Sequence, residues 1–288
     1  MSRHPRRSTA QETVAILDRG AYTAPSGRTV DIAGALERSV RGTVLHTPSE
    51  LHAPSDLHSP SEFTALPDGQ AGETRIEVTG ETTLAAAHRL YGDGEIPLAL
   101  NFASAKNPGG GFLNGAHAQE EGLARSSGLY SSLLSAREFY DFHREQRDLL
   151  YSDHMIYSPA VPVIRDDAGL LLEEPFEVAF LTSAAPNRGA IKDPDKLELL
   201  PAALRQRARK VLAAALAHGH RRLVLGAWGC GVFRNDPYEV ATAFAEPLTP
   251  GSGDFAGRFE HVVFAVWDTA NGAPRQVAFE EVFAGLTG

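Results

Sequence analysis

The chain has 288 residues, 43% of them hydrophobic and 22% charged, which is the composition of a globular protein. A formal net charge of −9 excludes a global basic footprint for nucleic acid, and a single cysteine excludes an intrachain disulfide and a cysteine-rich zinc site. No apolar run approaches the ~18 residues that a membrane span needs.

The N-terminus, Ser2-Arg3-His4-Pro5-Arg6-Arg7, is basic but has no apolar core behind it. It does not read as a secretory signal, so a cytoplasmic location is expected. Residues 8–20 predict a first helix: Ser8 or Thr9 as cap, Glu12 closing a capping box, Val14, Ile16 and Leu17 as apolar face, and Gly20 as stop. Residues 30–42 predict a second, with Ile32, Leu36 and Val40 on one stripe. A six-residue repeat follows, Pro48-Ser-Glu-Leu-His52, Pro54-Ser-Asp-Leu-His58, Pro60-Ser-Glu-Phe63. It is too rich in proline for a helix. The shared spacing of His46, His52 and His58 raises a metal site, but one kind of strong ligand without a fixed scaffold reads better as a polar surface loop.

From Arg75 the pattern alternates. Arg75–Thr79 predicts a strand and Glu81–Tyr91 a helix. Pro97–Phe102 is an apolar run that reads as a buried strand. It leads into Asn107-Pro-Gly109-Gly110-Gly111-Phe112 and, a few residues on, Gln119-Glu120-Glu121. Three glycines leave their amides unshielded and can form an anion-binding nest. Adjacent carboxylates raise each other's pKa when both face one dry pocket. A phosphate cradle beside a proton-donating acid suits cleavage of a phosphorylated sugar bond.

Helices are expected from Glu121 to Leu134 and from Ala136 to Leu149. Met155–Tyr157, Val161–Ile164, Leu170–Leu172 and Phe176–Ser183 predict strands, with a tight turn at Asp166-Asp167-Ala168-Gly169. A long helix over 196–217 carries Arg205, Arg207, Arg209 and Lys210, expected as a solvated face. Arg221–Ala227 is another strand, entering Trp228-Gly229-Cys230-Gly231-Val232-Phe233 and a helix from Tyr238 to Pro247. Such a loop can aim free amides and a helix dipole at a diphosphate. Cys230 reads as a small loop residue rather than a nucleophile, since no Cys-His pairing is identifiable. Phe259–Val266 and Arg275–Phe283 give the last strand and helix. About six strands alternating with helices make the class α/β.

The triple glycine, the spacer and the Gln-Glu-Glu resemble the signature of the microbial poly(ADP-ribose) glycohydrolases. That resemblance implies a three-layer macrodomain-like fold with a mixed central sheet, catalytic over 73–288, and an N-terminal helical accessory segment over 1–72. It implies hydrolysis of the ribose–ribose O-glycosidic bond of poly(ADP-ribose), mainly exo-acting, without metal or cofactor. It makes Glu121 the acid and then the base that activates water, with Glu120 holding ribose hydroxyls. Asn107 and Gln119 would fix ribose hydroxyls, and the two glycine loops, with Gly109, Gly110, Gly111, Gly229, Cys230, Gly231 and Val232, would hold the diphosphate. Phe233 would stack near ribose or adenine, or else be core. Glu81 is either an adenine-contacting acid or a plain first-turn glutamate, and Ala184–Gly189 either a family loop or a strand-ending turn. Implied partners are poly(ADP-ribose), ADP-ribose and ADP-ribosylated proteins, with no membrane and no sequence-specific nucleic acid, for a monomer. A non-catalytic ADP-ribose-binding macrodomain and a mono-ADP-ribosyl hydrolase stand as alternatives. A dinucleotide-dependent oxidoreductase lacks its Gly-x-Gly-x-x-Gly turn here.

Overall fold

The computed structural model describes residues 3–50, 72–92 and 95–286. Most of the proline-rich repeat, with His52 and His58, lies outside them. The elements in order are α1 Arg3–Arg19, β1 Ala21–Thr23, β2 Thr29–Asp31, α2 Ala33–Arg41, β3 Val44–His46, β4 Arg75–Thr79, α3 Thr83–Leu90 and β5 Leu98–Phe102. After them come α4 Gln119–Ser126, α5 Leu129–Ser135, α6 Glu138–Gln146, β6 Met155–Arg165 and β7 Leu171–Ser183. The last are α7 Pro194–Ala217, β8 Arg222–Leu225, α8 Pro237–Leu248, β9 His261–Ala265 and α9 Pro274–Phe283.

Two compact units share these elements, each drawing on several stretches of chain. The first comprises Met1–His46, Ala87–Arg147 and His154–Ala184. Its strands run in the order β3-β6-β7-β5, with β3/β6 and β6/β7 antiparallel and β5/β7 parallel. The β6/β7 hairpin turns where expected: the Asp166 side chain accepts from Leu170 N–H at 2.8 Å, and Gly169 sits at φ +86°. The sequence pattern predicts four short strands here; two long ones form instead. Pro159, Pro162 and Pro175 break the pattern, but a register shift between Ser158 and Val161 absorbs the disruption.

Helix α1 begins at Arg3, five residues before the expected start, and Thr9 donates back to Pro5 O instead of capping. Glu12 closes no capping box; it pairs with Arg165 at 2.8 Å. Gly20, at φ +69°, ends the helix as expected. The β1–β2 ribbon has no counterpart among the sequence expectations, because three-residue strands leave no period to read. Ile16, Tyr22, Val30, Ile32 and Leu36 pack with Ile164 of β6 in one buried cluster. The single helix expected from Glu121 to Leu134 is broken into α4 and α5 at Ser127–Gly128. Gly128 leaves no room for a side chain, since its Cβ would lie 2.5 Å from Leu36.

The second unit comprises Thr47–Ala86, Asp148–Asp153 and Ala185–Gly288. Its strands run β8-β9-β4, all parallel. Phe264 on β9 stacks against Phe244 of α8 and against Phe279 and Phe283 of α9, with ring centroids 4.2–5.9 Å away. The expected solvated face of α7 is overturned at Arg207, which is buried. Asp153 explains it: its carboxylate takes Arg207 Nε and Lys210 Nζ, each at 2.9 Å. Burial works against the Asp153 charge, but the two cations more than offset it and hold the carboxyl below its usual range.

Candidate active site

Strand β5 is buried along its length, as its unbroken apolar run requires. Its last residues hand the chain to the glycine loop and α4. Gln119, the first residue of α4, clasps the strand it faces: Oε1 accepts from Phe102 N–H at 2.9 Å and Nε2 donates to Leu100 O at 2.8 Å. Its amide therefore fixes α4 against β5. Phe112 anchors the loop in a small core with Ala10 of α1 and Ala124 of α4.

The three glycine amides point inward. Gly110 N–H donates to Asn107 O at 3.0 Å, Gly111 N–H donates to Glu121 Oε1 at 2.9 Å, and Gly109 N–H faces Glu120. Two of the three amides of the expected nest thus close on the protein's own carboxylates, and the third on a backbone carbonyl. Close approach is why glycine is needed: a Cβ on Gly110, at φ +59°, would lie 2.4 Å from Glu121 Oε1 and 3.1 Å from Glu120 Oε2. Ala118 N–H holds the other Glu121 oxygen at 3.0 Å, the reach-back half of a capping box. Asn107 is exposed beside this loop.

Glu120 is only 3% exposed, whereas Glu121 is half-buried. Burial, then the Glu121 charge beside it, pushes the Glu120 carboxyl up to about 8 against three hydrogen bonds that oppose the shift. Glu120 Oε2 accepts from Ser104 N–H at 2.7 Å, while Oε1 meets Asn101 Nδ2 only at 3.4 Å. Asn101, on β5, also donates to Thr182 of β7 at 3.1 Å and leaves its buried Oδ1 without a partner. Sequence reading missed Asn101 because it hides inside an apolar strand.

In the second unit, β8 ends in the loop 226–236. Gly229 sits at φ +73°, and a Cβ there would strike Asn235 Nδ2 at 2.5 Å and Ala185 at 2.7 Å. The N–H groups of Gly231, Val232 and Phe233 donate no backbone hydrogen bond among the described residues. The helix start is not open in the same way: Asp236 accepts from Tyr238 N–H and Glu239 N–H at 2.8 and 3.3 Å, so α8 is capped from within. The N–H groups left open in this segment therefore lie in its loop and not at the helix start. Val232 is 78% exposed, and Phe233 is half-buried, not sealed in the core. The Phe233 ring lies 5.9 Å from that of Tyr151, and its carbonyl accepts from Gly189 N–H at 2.8 Å, so the 184–189 loop braces it. Burial pushes the Cys230 thiol up to about 12, which leaves it a protonated loop residue.

Two further groups escaped sequence reading. Trp267, at the carboxyl end of β9, is 57% exposed. Arg275, paired with Asp268 at 2.5 Å, comes within 4.0 Å of where a Gly231 side chain would begin. Nothing in their local pattern marks either; Arg275 approaches the loop at Gly231, and Trp267 follows β9, the parallel neighbour of β8. No helix among the described residues is long and apolar enough to cross a membrane.

Residues 10–166 match the family of the microbial-type PARG catalytic domain, PARG being poly(ADP-ribose) glycohydrolase. The chain is 63% identical to poly(ADP-ribose) glycohydrolase from Thermomonospora curvata, covering 97% of this chain and 100% of that one, with a TM-score of 0.88. The same enzyme bound to the inhibitor ADP-HPD matches at 62% identity over 96% and 99% of the two chains, TM-score 0.87. The Deinococcus radiodurans enzyme in complex with ADP-ribose matches at 46% identity over 89% and 99%, TM-score 0.78. No curated protein sequence matches the chain. The glycine-gripped carboxylate pair therefore stands in a known frame, and the chain belongs to the microbial-type poly(ADP-ribose) glycohydrolases, glycoside hydrolases of macrodomain-like α/β fold.

Proposed function

We propose that the chain hydrolyses the ribose–ribose bond of poly(ADP-ribose), mainly from the chain end, with Glu121 as the acid and then the base. The observation that carries this assignment is the contrast between the two carboxylates. Glu120 is sealed away, while Glu121 is half-exposed and held by two N–H groups. Reach to substrate comes before pKa in choosing an acid. Glu121 gives its proton to the leaving ribose oxygen as the glycosidic C–O bond breaks. Water then adds to the anomeric carbon and returns a proton to Glu121. Glu120, neutral near pH 7, lies behind Glu121 and is proposed to hold ribose hydroxyls through the 3% of it that reaches the surface.

Binding falls to other groups. Asn107, exposed beside the glycines, serves a ribose hydroxyl; Gln119 acts by fixing α4. Gly109, Gly110 and Gly111 let the carboxylates lie close to the loop surface. The open amides of Gly231, Val232 and Phe233 take the diphosphate, with Gly229 and Cys230 shaping the turn, and Phe233 and Trp267 offer aromatic faces to ribose and adenine. Residues 1–72 act as the accessory segment, and a cytoplasmic monomer acting on ADP-ribosylated proteins completes the reading. Incubation with labelled poly(ADP-ribose) and separation of products tests it. Free ADP-ribose supports the enzyme; intact polymer held tightly would assign a binding module instead.

A further inference from the structure

Three consecutive carbonyls between the glycines and Gln119 each hold a guanidinium. Arg3 Nε donates to Asn114 O at 3.0 Å, Arg6 Nε to Gly115 O at 3.0 Å, and Arg125 Nη1 to Ala116 O at 2.7 Å. Two residues on, Ala118 N–H holds Glu121. Gly115 permits this crowding, because a Cβ there would lie 2.4 Å from Arg3 O. Arg7 lies exposed on the same helix turn.

The region is strongly cationic in a chain of net charge −9. No acid occurs in residues 96–118, and the first turn of α1 holds none. The nearest acid on α1, Glu12, is spent on Arg165. Burial, then Arg125 and Arg6, press the His117 imidazole below its usual range, so it adds no charge at neutral pH. Glu121 is the carboxylate that the cluster faces. Stapling a loop would not require Arg7. A polymer that carries two phosphate charges per unit would meet this face on leaving the acid.

We infer that Arg3, Arg6 and Arg7 on α1, beside the 114–117 loop, form a leaving-side subsite for the phosphates of poly(ADP-ribose) units beyond the bond being cut. The inference rests on the glycohydrolase reading with Glu121 as acid. Guanidinium groups on phosphate raise affinity in a salt-dependent way, with a slope that grows with the number of phosphates neutralised.

The test compares kcat/KM on long and on short size-fractionated poly(ADP-ribose) across a salt series. Arg7→Glu and Arg3→Gln should raise KM for long chains by about three- to tenfold and lower the salt slope by roughly one for each arginine replaced. The effect on short oligomers should be smaller, and Arg3→Lys should recover most of the long-chain KM. Equal losses on long and short chains, or an Arg3→Lys protein no better than Arg3→Gln, would mean that the arginines only staple the loop. Inhibition by single-stranded DNA as strong as by intact polymer would assign the face to nucleic acid and overturn the inference. A wild-type protein that cuts no polymer sinks the glycohydrolase reading; a wild type that cuts and an Arg7→Glu protein with unchanged salt slope sink this subsite alone.

Discussion

Glu120 and Glu121 are neighbours in sequence and opposites in environment. If Glu121 delivers the proton, Glu121→Gln leaves the cradle intact and should lower kcat by roughly a hundredfold to ten-thousandfold, with ADP-ribose affinity little changed by calorimetry. Wild-type turnover in that variant would remove Glu121 from the mechanism. Glu120 makes a different prediction. Its folded pKa of about 8 stands above the ordinary carboxyl value of 4.5. Between those values the folded state binds more protons than the unfolded, so stability is full below about pH 4.5 and falls as pH rises toward 8. The loss amounts to a few kcal/mol at most. Glu120→Gln should flatten the decline, which thermal melts at pH 5 and pH 8.5 would read. Equal slopes for the two proteins would mean that Glu120 is not buried as a neutral acid. The pair and its expected roles were legible in the sequence, but the contrast in burial between its two members was not. Glu120 lies beside Asn101 of β5, which also donates to Thr182 of β7, a strand far off in the chain.

At the scale of elements, each glycine loop has one position where a side chain meets the site and one where it meets the scaffold. Gly110→Ala forces a Cβ to within 2.4 Å of Glu121 Oε1 at a left-handed φ. The strain costs about 1–2 kcal/mol, and displacing the acid by a fraction of an ångström should cost activity about a hundredfold. Kinetics and a melting curve together check this: a large fall in Tm with normal kcat in the folded fraction would contradict it. In the second loop Gly229→Ala should lower Tm, because Asn235 and Ala185 occupy the space. A Cβ on Gly231 meets nothing nearer than Arg275 at 4.0 Å, so Gly231→Ala should keep Tm, and a bulkier substitution there should weaken ADP-ribose binding. Phe233→Ala removes a stacking face of about 1–3 kcal/mol and leaves the amides in place. Strand β5, its loop and α4 were legible because apolar run, glycines and acids follow one another locally. β6 and β7 were not, because their prolines mimic strand ends. The capping of α8 by Asp236 was also there to read, and it leaves the loop, not the helix start, with the open N–H groups.

For the molecule as a whole, charge and connectivity set what a polymer meets. Each unit is assembled from three separated stretches, so a boundary drawn along the sequence captures only part of the organisation. That interleaving follows from pairing such as β3 with β6, more than a hundred residues apart, which local periodicity cannot reveal. Helices α1 and α2 pack within the first unit on the glycine loop and on β6; under the proposed function this N-terminal segment covers the chain end and makes cutting end-wise. A time course on long poly(ADP-ribose) should therefore show single ADP-ribose units as the earliest product. Long internal fragments appearing first would contradict it.

The deeply protonated thiol of Cys230 has a practical side. It is the chain's single cysteine, and at a pKa of about 12 it stays almost wholly un-ionised at pH 7. Maleimides and iodoacetamides react with thiolates, so the native protein should react slowly with them, which a labelling time course at pH 7 would check. A cysteine introduced at an exposed position such as Trp267 or Arg7 becomes the fast-reacting handle for a fluorophore. Reporter dyes for nucleotide docking and polymer release can then be placed one at a time on an otherwise wild-type enzyme.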